Sequence, residues 1–254
     1  MTASNFSYSP QRNTRLEHLI SLPRLLPYKR AVGGDLQAAL DLYVWNIGAA
    51  SALYGPLQVL EVIFRNAMDR EMRNLYGPTW PHDAMFVRFA KGMTRRAPRT
   101  SGYKPPDLRR GIHAAREQLT RTFRKAHPSA PLPAFTLDDV IAATTFGYWT
   151  TMLDAAFEPG LWARGLKNAF PNYSSITGGK FSRSPVSSRF NDLRSLRNRV
   201  MHHEPLFKRP SLVLDYDHIV EACAWIDPTV SAWITHHARF KNVLDLRDRP
   251  RHVF

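Results

Sequence analysis

The sequence is poor in the residues that build disulfide frameworks and zinc fingers. Cys223 is the single cysteine among 254 residues, so no disulfide can form within the chain, and a zinc site made of several cysteines is excluded. The first residues, MTASNFSYSPQRNTR, lack the apolar core of a signal peptide. We also expect charged residues to interrupt each apolar stretch short of a membrane span. These absences predict a cytoplasmic protein with no membrane partner.

Strand signals and internal repeats are also lacking. No stretch alternates convincingly between apolar and polar residues, and no unit recurs with a period of about 20–50 residues. Apolar residues instead recur at steps of three and four, which predicts an all-α protein. Helices are predicted over residues 36–53, from Pro56 to about residue 75, and over 112–127, 137–157, 161–170, 185–202 and 215–234, the last broken near Pro228.

Positive charge dominates the composition. The chain has 35 lysines and arginines against 21 acidic residues, a formal net charge of +14 and a pI near 10.3. Because the cations are spread along the chain, nucleic acid is favoured over a membrane surface as the anionic partner. We predict one domain over residues 22–240, with an N-terminal tail at 1–21 and a basic C-terminal tail at 241–254.

A mobile basic loop is predicted at residues 91–111, where proline and cations replace the apolar periodicity. This loop and a second loop-like stretch at 180–189 supply the candidate RNA-binding residues. These are Arg95, Arg96, Arg99, Lys104, Lys180 and Arg183. Tyr103 and Phe181 are aromatic side chains in the same segments that can stack on bases or pack locally.

The chemistry-bearing cluster is RNRVMHHEPLF, at the predicted end of a helix. Arginine binds phosphate oxygens bidentately and histidine moves protons near neutral pH, a pair that suits phosphodiester cleavage. Arg-Asn occurs four times in the chain, but only Arg197-Asn198 has a histidine, His202, five residues after the arginine. Adjacent histidines diverge on a helix and no HExxH pair is present, so we predict no metal site.

Helical geometry relates these three side chains. Asn198 and His202 are four residues apart and share a face, so the amide can orient the ring. Arg197 lies about 140° round the helix from His202. Its side chain must bend back, or a second subunit must complete the site across a two-fold dimer. The structural alternative is an exposed helix end whose cations complement the helix dipole.

The same residues carry a resemblance to the Abi-like family, the bacterial abortive-infection proteins of the HEPN superfamily. The motif block contains Arg197, Asn198, His202, His203, Glu204 and Pro205, and the block LEVIFRNAMDRE contains Glu61, Arg65 and Asn66. The stretches LPRLLPYKRAVGGDLQAALDLYVWN and TTFGYWTTML are also similar. The likeness spans most of residues 22–207, in the order of the family.

The resemblance implies a HEPN-like helical bundle with extra helices and basic loops, usually dimeric, that cleaves RNA without metal or other cofactor. It implies a role in phage defence or toxin-like growth arrest, restrained by an antitoxin protein or an inhibitory RNA. His202 is the closer match to the catalytic histidine, and His203 also fits the spacing. Glu61 and Arg65, one helical turn apart, form a structural ion pair or support the active centre, and the structural role is favoured.

The leading interpretation is a metal-independent endoribonuclease in which the RNA 2′-OH attacks the adjacent phosphate. Arg197 would neutralise charge on the phosphate, Asn198 would position the reacting groups, and His202 would transfer protons. The alternative is a non-catalytic HEPN module that binds RNA or a protein partner. A helical DNA-binding regulator is a third interpretation, for which no clear helix-turn-helix signature is present.

Overall fold

The computed structural model describes residues 6–91 and 106–247. Every regular element in these ranges is helical, which confirms the prediction of an all-α protein. The α-helices are α1 (Pro10–Ile20), α2 (Leu22–Ala31), α3 (Leu36–Tyr76), α4 (Ala84–Phe89), α5 (Leu108–Ala126), α6 (Leu137–Ala142), α7 (Phe146–Thr151), α8 (Tyr173–Thr177), α9 (Arg183–Met201), α10 (Leu212–Ile226), α11 (Pro228–His237) and α12 (Phe240–Leu244). Single turns of 3-10 or π-helix lie at Trp80–His82, Ala155–Phe157, Glu158–Trp162, Leu166–Ala169 and Leu206–Lys208.

The chain divides into two compact units. The first unit comprises Met1–Leu57, Leu196–Asp217 and His236–Phe254, and the second comprises Gln58–Ser195 and His218–Thr235. Helix α1, which buries Asn13, lies within the segment predicted as an N-terminal tail. The single domain predicted over residues 22–240 stays a prediction.

The two helices predicted on either side of Pro56 are one continuous helix, α3, of 41 residues. A proline usually ends or kinks a helix because it lacks an N–H and its ring clashes with the preceding turn, at about 3 kcal/mol. Pro56 is buried inside α3. Leu53, Leu57, Leu60 and Phe64 keep helical spacing across it and are all buried, so their burial outweighs the cost of the proline.

The expectation that charge interrupts every long apolar stretch was wrong for residues 42–60, which carry no charged side chain. Among the described helices, α3 is long and apolar enough to cross a membrane by length and composition. The core helix of a soluble protein meets the same criterion.

The second unit is packed around aromatic side chains. The ring centroid of Phe190 in α9 lies 4.2 Å from that of Phe64, 5.5 Å from Phe170 and 6.4 Å from Trp225. Such pairs add stabilisation of about 0.5–1.5 kcal/mol each beyond the area they bury. Cys223 is buried in this unit, and its burial raises the pKa of the thiol to about 12.

The helix predicted over residues 137–157 is two short helices, α6 and α7, followed by a 3-10 turn. The predicted capping box at the start of α6 is confirmed: the Thr136 hydroxyl accepts from the Asp139 N–H, and the Asp139 carboxylate accepts from the Thr136 N–H. The break arises at Thr145, whose side chain accepts from the Tyr148 N–H and caps a new helix. The helix predicted over 161–170 is likewise only separate π and 3-10 turns.

Candidate active site

A stripe of buried apolar side chains holds helix α9 in place and so positions the motif at its C-terminal end. Phe190, Leu193, Leu196 and Val200 are buried, as their spacing predicts. The break of α10 and α11 at Asp227, just before Pro228, is also confirmed. Burial of the stripe leaves the other side of α9 to solvent. Asn198, His202 and His203 are exposed there, and Arg197 is partly buried.

The C-terminus of α9 is a Schellman turn with a histidine where glycine is usual. The Glu204 N–H donates to the Arg199 carbonyl at 2.9 Å. The His203 N–H donates to the Val200 carbonyl at 3.2 Å. His203 has a φ of 57°, in the left-handed region, which costs a non-glycine residue roughly 1–2 kcal/mol. Backbone strain therefore falls on one of the predicted site residues.

Two side chains that the motif alone does not reveal hold this turn. Asn46 of α3 is 3% exposed, and its Oδ1 accepts from the Leu206 N–H at 2.6 Å. Its Nδ2 donates to the Glu204 carbonyl at 3.4 Å. Arg24 of α2 donates from Nη1 to the His203 carbonyl at 3.0 Å. The main chain at the C-terminal end of the motif is therefore bound by α2 and α3.

Two of the motif side chains, those of Asn198 and His202, lie on one face of the helix. The His202 N–H donates to the Asn198 carbonyl at 2.9 Å, so the two residues lie one turn apart on one face, as predicted. Glu204, predicted as a supporting residue, forms an ion pair with Arg199, with 3.3 Å between Oε2 and Nη1. The ion pair therefore joins the same two residues whose main-chain groups form the longer hydrogen bond of the Schellman turn.

A cavity of about 520 Å³ lies beside the turn within the first unit. Its size falls in the range of about 300–1,000 Å³ typical of ligand sites. The lining residues are Arg24, Tyr43, Asn46, Ile47, Ala50, Ser51, Tyr54, Val200, Met201 and His203. The cavity is open to solvent, since Ile47, Tyr54 and Met201 on its wall are 39%, 46% and 40% exposed. Most of the surface that lines it is apolar. His203 is the motif histidine on its wall.

Glu61 and Arg65 lie in the second unit and bind main-chain groups around α6 and α7. Arg65 donates from Nη1 to the Ala142 carbonyl at 2.9 Å. Glu61 accepts from the Phe146 N–H at 3.2 Å. These contacts favour the structural role for the pair. Asn66 is exposed, and support of the active centre by these three residues stays a prediction.

The predicted RNA-binding residues differ in whether the structure describes them and in how exposed they are. Arg95, Arg96, Arg99 and Lys104, together with Tyr103, lie outside the described residues. Lys180 is exposed and remains a candidate. The side chain of Arg183 is 15% exposed and donates from Nη1 to the Leu153 carbonyl at 2.6 Å, so we do not retain it.

Phe181 packs locally and does not offer a surface for bases. Its ring stacks on Trp162 at 5.9 Å and on Phe170 at 6.2 Å between centroids. Tyr173 contacts it edge-on at 5.3 Å. The local-packing alternative for Phe181 is therefore confirmed.

Metal ligands do not gather in the part of the chain that the structure describes. Residues 6–91 and 106–247 contain no group of three or more His, Cys, Asp or Glu side chains placed to hold an ion. The candidate catalytic groups at the end of α9 are the Arg197 guanidinium, the Asn198 amide and the imidazoles of His202 and His203.

Comparison with known proteins supplies no relative. No family model matches the chain, and neither a curated protein nor a solved structure matches it significantly. Function is therefore inferred from the residues and contacts of the chain itself.

Proposed function

We propose that the protein is a metal-independent endoribonuclease of the Abi-like, HEPN type, acting in phage defence by abortive infection or in toxin-like growth arrest. The observation that carries the proposal is the end of α9, where the exposed Asn198 and His202 lie one turn apart on one face and Arg197 directly precedes Asn198. The strained turn at His203 supports it, because strain of this kind concentrates at functional sites.

The proposed reaction uses a nucleophile that belongs to the RNA. The ribose 2′-OH attacks the adjacent phosphorus in line, and the bond from phosphorus to the 5′ oxygen breaks. The products are a 2′,3′-cyclic phosphate and a 5′-OH that receives a proton. Arg197 offsets the charge that develops on the phosphate oxygens, and His202 moves protons to or from the ribose oxygens. Asn198 positions the imidazole or a phosphate oxygen.

The active unit is proposed to be a homodimer with a composite site. On α3, Ile47, Ala50, Ser51 and Tyr54 stand at i, i+3, i+4 and i+7 and line the cavity beside His203. This spacing is typical of a helix face that packs against another helix, and the two small residues at its centre allow close approach. A second copy seated there would bring its own α9 end toward the first, supplying a second Arg197 and His202.

Such an enzyme would damage the RNA of its own cell. We therefore propose that an antitoxin protein or an inhibitory RNA restrains it until a phage or another signal releases it. The site of action is proposed to be the cytoplasm, where the RNA substrate is found.

The test is cleavage of mixed cellular RNA in excess EDTA by the parent protein and by Arg197→Ala and His202→Ala. We expect fragments with cyclic-phosphate ends from the parent and a rate loss of roughly 10²–10⁴ in His202→Ala. DNA of matching sequence should remain intact, because it lacks the 2′-OH. His82→Ala, an exposed histidine of the second unit, is the control and should cut like the parent. Cleaved DNA, or equal cleavage by all variants, would refute the mechanism.

The alternative is a non-catalytic module that binds RNA or a protein partner. The open apolar cavity beside His203 is the observation that favours it, since such surfaces often mark interaction sites. RNA that stays intact but binds equally to parent, Arg197→Ala and His202→Ala would favour this function over the ribonuclease.

A further inference from the structure

Helix α5 has one apolar face, and the second unit already covers it. Leu108, Ile112, Ala115, Leu119 and Phe123 recur at steps of three and four along the helix. Leu108 and Ala115 are buried, and α5 contacts α6 and α7. The apolar face is therefore used within the chain.

A close approach fixes which way α5 faces. A Cβ placed on Gly111 would lie only 2.2 Å from Cδ2 of Tyr148 in α7. Farther along, the ring of Phe123 lies 6.4 Å from that of Phe135. Because both ends of the helix contact other residues of the second unit, the face opposite these contacts is presented to solvent.

That opposite face is cationic. The six cations of α5 are Arg109, Arg110, Arg116, Arg121, Arg124 and Lys125. At about 100° per residue, four of them lie on the half of the helix opposite the apolar residues, and two lie at the edge of the apolar face. The four are Arg110, Arg121, Arg124 and Lys125, and the two are Arg109 and Arg116. All except Arg109 are exposed, and Glu117 is the one acidic residue of the helix.

This charge is not balanced within the helix. Arg109 pairs with Asp107 at 2.5 Å and Arg121 with Glu117 at 3.2 Å. Arg121 also stands i, i+3 and i, i+4 from two further cations near the C-terminus, and like charges at these spacings destabilise a helix by about 0.2–0.5 kcal/mol per pair. The helix dipole favours cations only in the last turn, so it does not account for Arg110 or Arg116.

A depression lies in this face and suits an oxyanion. Its volume is about 400 Å³, and its lining residues are His113, Arg116, Glu117, Thr120 and Arg121. Arg116 can donate hydrogen bonds to a phosphate there. Arg121 and His113 can join it by exchanging the Glu117 carboxylate, which lies 3.2 Å from Arg121 Nη2 and 3.6 Å from His113 Nδ1, for the phosphate.

We infer that the cationic face of α5 binds the phosphodiester backbone of RNA, independently of sequence. The inference rests on the proposed function only in the choice of RNA as the nucleic acid. A membrane surface is the poorer partner, because a helix that lies in the interface inserts its apolar face, and α5 uses that face against α6 and α7. Phosphate contacts hold and orient a nucleic acid without reading its bases.

The test compares two triple variants of the full chain that lose equal charge. The first is Arg116→Gln with Arg124→Gln and Lys125→Gln, in which glutamine keeps helix propensity. The control is Arg15→Gln with Arg30→Gln and Lys241→Gln, three exposed cations of the first unit. Binding of a single-stranded 2′-O-methyl RNA is measured across a range of salt concentrations, and circular dichroism confirms that both variants are helical.

Each lost phosphate contact should reduce the slope of log affinity against log salt by about 0.7, so the α5 variant should lose about 2 in slope and roughly 100-fold in affinity near 0.1 M salt. The control should bind within a fewfold of the parent. Equal losses in the two variants, or no loss in either, would overturn the inference. So would loss of binding to phosphatidylserine vesicles with RNA binding unchanged.

The choice of ligand keeps this result separate from the ribonuclease proposal. A 2′-O-methyl group blocks the attacking oxygen, so binding is measured without cleavage. If natural RNA is never cut but the α5 variant alone loses binding, the cationic face of α5 is an RNA-binding surface and the ribonuclease proposal fails. The affinity of the α5 variant for a DNA strand of the same sequence should be lower than that of the parent by the same factor. An α5-dependent preference for DNA over RNA would overturn the assignment to RNA.

Discussion

Arg24 and His203 are 179 positions apart in the sequence and are joined by a hydrogen bond of 3.0 Å from the guanidinium Nη1 to the main-chain carbonyl. His203 and Ser21 are the two described residues other than glycine with a positive φ. A charged donor from α2 thus holds the carbonyl of the strained residue at the end of the motif. Helix α2 therefore acts on the orientation of the α9 end.

Arg24→Ala should impair catalysis more than folding. The contact is solvent-exposed, so its loss should cost about 1 kcal/mol or less of unfolding free energy. A small displacement of reacting groups has a larger effect on rate, and we expect a fall in kcat of roughly tenfold with KM nearly unchanged. Steady-state kinetics on a short RNA measure both constants. Arg30→Ala, an exposed arginine of the same helix, should leave kcat unchanged, and an equal loss there would argue against positioning by Arg24.

His203→Gly should stabilise the protein. Glycine adopts a left-handed φ without steric cost, so the free energy of unfolding should rise by about 1 kcal/mol, measured by urea denaturation. His202→Gly, one residue earlier, should not gain stability. With His202 as the catalytic histidine, His203→Gly retains RNA cleavage. A more stable protein that no longer cuts RNA would instead assign the chemistry to His203.

Asn46→Ala should be among the more destabilising changes in the first unit. It leaves the N–H of the buried Leu206 without its acceptor, which costs about 1–3 kcal/mol. Urea denaturation followed by circular dichroism measures the change. Asn242→Ala, at an exposed position of α12, should stay within about 0.5 kcal/mol of the parent. Equal midpoints for the two variants would mean that Asn46 does not hold the turn.

The local parts of this site could be read from the sequence, and the long-range parts could not. The buried stripe of α9 follows from helical periodicity, and the capping box at Thr136 follows from residues three apart. Asn46 gives only a faint signal, a polar residue within the apolar run LYVWNIGAA, because its partners lie 158 and 160 positions away. The prediction at Pro56 was wrong for the opposite reason. Local propensity predicts a helix break there, but the buried apolar residues on both sides of the proline keep α3 continuous.

Ile47→Lys and Tyr54→Lys should shift the protein from dimer to monomer. A lysine on the α3 face beside the cavity would place a charge in a contact between two copies. Light scattering coupled to size exclusion measures the mass. Leu214→Lys, which changes a side chain that is 56% exposed, is the control and should leave the mass unchanged. A parent protein that is already monomeric at micromolar concentration would contradict the composite site.

Gly111→Ala should destabilise the second unit although alanine is the better helix former. The new methyl would clash with the Tyr148 ring, and overpacking of this kind costs about 1–3 kcal/mol against a propensity gain of about 1 kcal/mol. Gly147→Ala, whose Cβ would meet its nearest neighbour at 3.7 Å, should be neutral or slightly stabilising. Thermal denaturation compares the two variants. A higher Tm for Gly111→Ala would show that α5 and α7 are not in close contact.

The single cysteine makes this chain convenient for optical work. Cys223 is buried and its thiol pKa is raised to about 12, so little thiolate is available to a maleimide in the folded protein. A cysteine introduced at an exposed position would therefore be the reactive thiol, without removal of the native one. A fluorophore attached at such a position could report RNA capture or subunit exchange in real time, and labelling of Cys223 itself would report unfolding.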